Sequence, residues 1–124
     1  MPSGRRALGQ LGEDLAVRYL ERRGYVILER NYRCAHGEVD IVCRDNERLA
    51  FVEVRARRGT AYGTPEESVT ASKQARLATV ARDYLQARGH SDVDWGIDVV
   101  AVQFATSGAL LRINLLRNAV IEAP

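Results

Sequence analysis

Three β-forming segments that follow one another closely constrain the fold of this chain more than any other feature. Residues 25–32, 38–45 and 48–56 are rich in Val, Ile, Tyr and Phe, and parts of them alternate between apolar and polar side chains. This pattern is typical of half-buried strands. The sequence DNER joins the second segment to the third and suits a tight hairpin. We therefore predict that the three segments form an antiparallel meander.

Two amphipathic segments flank the meander along the chain and predict helices. Residues 7–23 carry apolar side chains at the i, i+3, i+4, i+7 spacing of one helix face. Residues 65–88 are the second candidate, with Pro65 suited to a first helical turn and Gly89 placed to close the helix. Two further β-branched segments follow, at 95–104 and 110–116.

The order of these elements, α-β-β-β-α-β-β, predicts an α/β fold with a mixed sheet and helices packed on it. The 124 residues, of which 46% are hydrophobic, suit a single domain over residues 1–124. The longest apolar runs fall short of the roughly 18 to 20 residues that a membrane span requires. The N-terminus has no apolar stretch of signal-peptide length. We expect a cytoplasmic protein with no membrane partner.

Charge and metal-ligand spacing leave the function open. The net charge of +2 does not by itself indicate nucleic-acid binding, and the two Cys and two His residues do not match a zinc site. Of the 18 basic residues, Lys73 is the one lysine, which indicates a codon usage that favours Arg. The arginines cluster at 5–6, 22–23, 30–33 and 55–58. These clusters fit a solvated rim and phosphate contacts along one edge equally well.

Two carboxylates occupy the predicted hairpin at positions where apolar residues surround them. If residues 46–47 form a two-residue loop, Asp40 lies directly opposite Glu53, and Arg55 shares the face of Glu53. Opposed side chains have Cβ atoms roughly 4.5 to 5.5 Å apart, where two like charges are destabilising. A proton on one carboxyl, an ion pair with Arg55, or a divalent cation between the acids could each relieve the repulsion.

A third acid, Glu13, lies in the first predicted helix at the boundary of its apolar stripe. The pattern alone favours an ordinary surface glutamate here.

Taken in order, a set of segments over about residues 8 to 120 resembles the YraN family of small bacterial proteins. The segments are GEDLAVRYLERRGYVILERNYR, GEVDIV, FVEVRAR, SVTASKQARL and IDVVAV. The resemblance implies a restriction-endonuclease-like fold, related to that of archaeal Holliday-junction resolvases. The signature shared by such proteins is a helix Glu, a strand Asp and a Glu-x-Lys on the next strand.

Matched by position, the resemblance implies a catalytic and metal-binding set in this chain. The implied metal ligands are Glu13, Asp40 and Glu53, with Mg²⁺ or Mn²⁺ as cofactor. Lys73 matches a family lysine early in the second long helix, and Asp98 matches a strand Asp that we expect to be structural or supporting. The implied function is a Mg²⁺-dependent endonuclease that hydrolyses phosphodiester bonds of DNA, in branched or repair intermediates. A homodimer is a further expectation from the resemblance.

The chain departs from the signature at Arg55, which occupies the position of the motif lysine. Arginine has a pKa above about 12 and cannot act as a general base. Three explanations remain open. The first is that the position requires only a cation. The second is that the site binds nucleic acid without cutting it. The third is that Lys73 supplies the amine from the second helix. The alternative function is therefore a non-catalytic nucleic-acid-binding protein on the same scaffold.

Overall fold

The structure, a computed structural model, describes residues 4–61, 63–90 and 92–118. The elements follow the predicted order α-β-β-β-α-β-β, with one additional short 3₁₀ helix before the second α-helix. They are α1 (Arg5–Arg22), β1 (Val26–Cys34), β2 (Gly37–Asp45), β3 (Arg48–Arg58), the 3₁₀ helix (Glu66–Ser68), α2 (Ala71–Ala87), β4 (Trp95–Phe104) and β5 (Leu110–Leu116).

All five strands form one mixed sheet in the order β1-β2-β3-β4-β5. The pairs β1–β2, β2–β3 and β4–β5 are antiparallel, and β3–β4 is parallel. A parallel pair needs a crossover between its strands, and the segment that contains α2 provides it. The predicted antiparallel meander followed by a mixed sheet is therefore confirmed.

The two α-helices cover opposite faces of the sheet because side chains alternate along each strand. On β3, Leu49 and Phe51 pack with α2, whereas Ala50 and Val52 pack with α1. Each helix thereby closes its own apolar cluster against the sheet. No helix within the described ranges is long and apolar enough to cross a membrane.

The second helix begins later than the sequence predicts. Pro65 precedes the 3₁₀ helix, and α2 starts only at Ala71, after an extended Val69 and Thr70. The hydroxyl oxygen of Thr70 accepts a hydrogen bond from the main-chain N–H of Lys73 at 3.2 Å. Thr is a preferred N-cap residue, so this bond starts a new helix instead of extending the preceding turn. The prediction of one helix from residue 65 was wrong, and Lys73 lies in the first turn of α2.

A buried ion pair joins the start of β3 to β4. Arg48 donates to both carboxylate oxygens of Asp98, at 3.0 and 2.8 Å, and Asp98 is fully buried. The main-chain N–H of Asn118 donates to the same carboxylate at 2.9 Å. These contacts compensate the charge of Asp98 and give it a structural position between β3 and β4.

A candidate metal and phosphate site between β2, β3 and α2

The predicted hairpin register is confirmed as far as the pair that precedes Asp40 and Glu53, and the side chains of these two acids are hydrogen-bonded to each other. The strands pair from Asp45↔Arg48 to Ile41↔Val52, which leaves a two-residue loop at 46–47. The next rung of this register would join Asp40 to Glu53. The register follows from the loop length, because a two-residue connection determines every pair below it.

Regular pairing between β2 and β3 stops just before Asp40, and beyond that point the Asp40 side chain accepts a hydrogen bond from the main chain of β3. Val39 and Val42 both pack on the α2 side, whereas Ile41 packs on the α1 side, so the alternation of β2 is interrupted at Asp40. The main-chain N–H of Val54 donates to Oδ2 of Asp40 at 2.8 Å. The carboxylate therefore lies against the edge of β3, where a main-chain carbonyl would otherwise accept this bond.

Burial and the neighbouring Glu53 change the protonation of Asp40. Burial raises the pKa of Asp40 most, followed by the charge of Glu53 and a side-chain hydrogen bond with it, and together they bring this pKa to about 8. The hydrogen bond from Val54 opposes the shift. Without a cation, the two carboxyl groups therefore hold a proton at neutral pH. A proton is one of the three ways of relieving the repulsion that the sequence left open.

Arg55 is held between Glu53 and the 3₁₀ helix. Its Nη1 lies 3.7 Å from Oε2 of Glu53, and its Nε donates to Oγ of Ser68 at 2.7 Å. The Ser68 hydroxyl donates in turn to the carbonyl oxygen of Pro65 at 2.5 Å. The contact with Glu53 is an ion pair without a hydrogen bond, so Arg55 compensates the charge of Glu53 in part.

The acids and the cations meet in one cavity of about 310 Å³ between β2, β3 and α2. Its lining includes four of the five predicted catalytic residues, Asp40, Glu53, Arg55 and Lys73. The other lining residues are Gly37, Glu38, Val54, Arg76 and Leu77. The N-terminal half of α2 therefore faces the acids, which is what a contribution from Lys73 requires.

Lys73 is the amine of this cavity. Burial lowers its pKa most, the guanidinium of Arg55 lowers it further, and Glu53 opposes these effects. Arg57 and Arg76 act in the same direction as Arg55. A lysine that is repelled by three arginines gives up its proton more readily than an exposed lysine.

Glu13 does not lie in this cavity. Its carboxylate is almost buried, forms an ion pair with Arg30 at 2.9 Å, and accepts a hydrogen bond from Asn31 at 3.1 Å. Across the described ranges, no group of three or more His, Cys, Asp or Glu side chains is placed to hold a metal ion. The contacts with β1 already compensate the charge of Glu13. Its assignment as a metal ligand stays a prediction that this arrangement does not support.

Two charged residues of the cavity, and a serine that contacts Arg55 beside it, were not predicted as site residues from the sequence. Arg76 follows Lys73 by three positions, so the helical period could have placed it on the same face. Glu38 lines the cavity two residues before Asp40. Ser68 was assigned to a helix interior, and only the 3₁₀ helix brings its hydroxyl to Arg55.

Comparisons with known proteins agree with the resemblance in the motifs. Residues 12–102 match the model of "Uncharacterised protein family UPF0102". A UPF0102 protein of Pelotomaculum thermopropionicum is 44% identical over 119 residues, which cover 96% of this chain and 99% of that protein. One from Roseiflexus castenholzii is 46% identical over 123 residues, which cover 98% and 99%. One from Geobacter sulfurreducens is 46% identical over 112 residues, which cover 90% and 87%. The chain therefore belongs to the UPF0102 family, which is the YraN family that its motifs resemble.

Proposed function

We propose that this chain is a Mg²⁺- or Mn²⁺-dependent endonuclease that hydrolyses phosphodiester bonds of DNA, in branched or repair intermediates. One observation carries the proposal. Two hydrogen-bonded carboxyl groups, Asp40 and Glu53, line one open cavity together with a lysine and two arginines. Carboxylates that would hold a metal cation and cationic side chains that would hold a phosphate thus lie side by side.

The donor set fits a hard divalent cation. Asp40 and Glu53 offer carboxylate oxygens, which Mg²⁺ and Mn²⁺ prefer. Mg²⁺ sites commonly use one or two carboxylates and complete their shell with water and substrate phosphates, so two protein ligands are sufficient. A bound divalent cation would supply Lewis-acid stabilisation of the charge that builds on a phosphodiester.

Cation binding must displace the proton that the acids share. Because the pKa of Asp40 is about 8, binding at pH 7 should release about one proton per ion. Titration calorimetry with Mn²⁺ in two buffers of different ionisation enthalpy measures this release. Heat that does not depend on the buffer would contradict a site at these carboxylates.

The cations of the cavity have separate roles in the proposal. Arg55 and Arg76 carry guanidinium groups, which can hold phosphate oxygens or stabilise negative charge. Lys73 has a lowered pKa and is the cavity base that can take up and release a proton. Lys73, which lines the cavity, is therefore our candidate for the task that Arg55 cannot perform at the motif position.

Cleavage assays test this assignment. Purified protein is incubated with linear, flap and junction DNA in Mg²⁺ or Mn²⁺, together with the variants Asp40→Asn and Lys73→Arg. We expect Asp40→Asn to abolish cleavage and Lys73→Arg to lower its rate by about 10²- to 10⁴-fold, because the charge stays while the base is lost. The matched control is Asp94→Asn, the same change at an exposed site. Cleavage that persists in Asp40→Asn would refute the site.

A second candidate function is nucleic-acid binding without cleavage. The position of Arg55 favours it, because Ser68 holds a guanidinium that cannot be a base where the signature has a lysine. This function predicts salt-dependent binding of DNA with no cleavage of any substrate in either metal. The variant Arg55→Lys discriminates further, since gain of cleavage would show that only this substitution separates the chain from activity.

A further inference from the structure

A second depression, which we call the strand-end groove, opens beside the cavity. It has a volume of about 620 Å³ and is lined by Leu8, Gly9, Val54, Arg55, Ala56, Arg57 and Arg58. β3 runs six residues beyond Val52, its last residue paired with β2, so its end forms one wall, and the start of α1 forms the other. Val54 and Arg55 line both depressions. The groove therefore adjoins the site of Asp40 and Glu53 along β3.

The charge of the strand-end groove is of one sign. Three arginines line it, and no acidic residue does. Arg57 is half-buried, and its guanidinium pairs with no carboxylate in the part of the chain that the structure describes. Other arginines of the chain do pair, for example Arg48 with Asp98. A half-buried guanidinium without a partner favours an external anion.

The edge of β3 adds main-chain donors to these charges. The N–H of Val54 points toward β2, where it donates to Asp40. Because N–H groups of alternate residues point to the same side of a strand, the N–H of Ala56 points to that side as well. Within the described residues, β2 pairs with β3 only as far as Val52. Main-chain N–H groups beside arginines are typical phosphate contacts.

The opposite wall allows a backbone to approach closely. A Cβ atom built on Gly9 of α1 would have no atom within 4 Å, so the wall is open at this point. Arg55 and Arg57 are two residues apart and therefore about 6.6 Å apart along the strand. This spacing is close to the separation of successive phosphates along one nucleic-acid strand.

We propose that the strand-end groove holds the phosphodiester backbone of a nucleic-acid strand that continues from the bond placed at Asp40 and Glu53. The inference rests on the proposed function and adds the path of the substrate. Arg57 contacts the phosphate that follows the one at Arg55. Such contacts position the strand and do not read its sequence.

Binding without cleavage tests the groove. A fluorescent single-stranded oligonucleotide is titrated with protein in EDTA, and Kd is measured by anisotropy at several salt concentrations. We expect Arg57→Gln to weaken binding by about fivefold to tenfold and to reduce the slope of log K against log salt by about 0.7. Arg44→Gln removes the same charge at an exposed position on β2 and should bind as the wild type does.

A charge placed in the groove gives a second, independent measurement. Gly9→Glu and Gly9→Gln add side chains of the same length with similar helix propensity, and they differ only in charge. We expect Gly9→Glu to bind the oligonucleotide at least about fivefold more weakly than Gly9→Gln at low salt, with the difference vanishing at high salt. Circular dichroism of both variants shows whether the fold is kept.

The possible outcomes separate the groove from the proposed function. If Arg57→Gln, Gly9→Glu and Gly9→Gln all bind as the wild type does while metal-dependent cleavage persists, the groove is refuted and the endonuclease stands. If the wild type binds no oligonucleotide even at low salt, both are refuted. If it instead binds vesicles of anionic phospholipid and Gly9→Glu loses that binding, the groove serves a lipid surface and the proposal is overturned.

Discussion

Replacement of Asp40 by Asn should change how the stability of the fold depends on pH. The amide oxygen of Asn can still accept the hydrogen bond from the Val54 N–H, and its NH₂ group can donate to Glu53. The substitution therefore keeps the shape and the contacts of the side chain and removes its titration. Any difference between the two stability profiles over pH reports the protonation of Asp40.

The expected magnitude follows from the pKa of Asp40. This pKa rises from the usual 3.8 to about 8 on folding, mainly through burial and then through Glu53. Between these values the folded state holds one more proton than the unfolded state, so the free energy of unfolding falls as pH rises. The fall is at most about 1.4 kcal/mol per pH unit. The stabilisation is fully present below pH 3.8 and is lost as pH passes through 8.

Urea denaturation of the wild type and Asp40→Asn between pH 5 and 9 measures this effect. EDTA is present, because a divalent cation would also neutralise the acids. We expect the free energy of unfolding of the wild type to fall relative to that of Asp40→Asn up to about pH 8 and then to level off. In Mg²⁺, the wild type should recover stability at pH 8 more than at pH 5, since the cation binds the deprotonated carboxylates.

Parallel profiles in EDTA would refute the reasoning, because they would mean that Asp40 titrates alike in the folded and unfolded states. The control Asp94→Asn carries the same chemical change on an exposed side chain. It should run parallel to the wild type over the whole range. A slope change in this control as well would show that the loss of any one carboxylate accounts for the effect.

Three further changes test the fold that positions the site, each by urea denaturation. Arg48→Ala leaves the buried Asp98 carboxylate without its ion pair and should cost roughly 3 to 5 kcal/mol, and no loss would contradict the pairing. Thr70→Ala removes the cap of α2 and should cost about 1 kcal/mol; if the helix instead began at residue 65, the substitution would be neutral. Gly12→Val places a Cβ 2.9 Å from that of Ala56 and should cost about 1 to 3 kcal/mol. An unchanged stability would contradict this close approach of α1 to β3.

Helix boundaries show where local pattern was insufficient. Pro65 and the two acids that follow it favour a helix start, and the apolar stripe of the later residues favours a helix after them. Together these patterns predict one helix from residue 65. The structure instead ends the first turn at Ser68 and starts α2 with a Thr70 cap. The break matters for function because it frees the Ser68 hydroxyl for Arg55 and brings Lys73 to the first turn beside the acids.

Glu13 shows the limit of matching a signature by position. Its place in the sequence fits the helix acid of the signature, yet its side chain contacts Arg30 and Asn31 of β1. Sequence position determines on which helix an acid lies. It does not determine which strand the acid reaches, because this depends on how the helix is rotated over the sheet.

The residue pattern by itself determined the order of the elements and the hairpin register, which brings Asp40 and Glu53 to the same end of the β2–β3 pairing. These features are local, since alternation and the length of one loop decide them. Only the tertiary structure decided that Lys73 and Arg76 line one cavity with these acids, that Arg55 is held by Ser68, and that a basic groove adjoins the cavity along β3. Such placements depend on where α1 and α2 pack on the sheet, and buried contacts between residues far apart in the chain decide that.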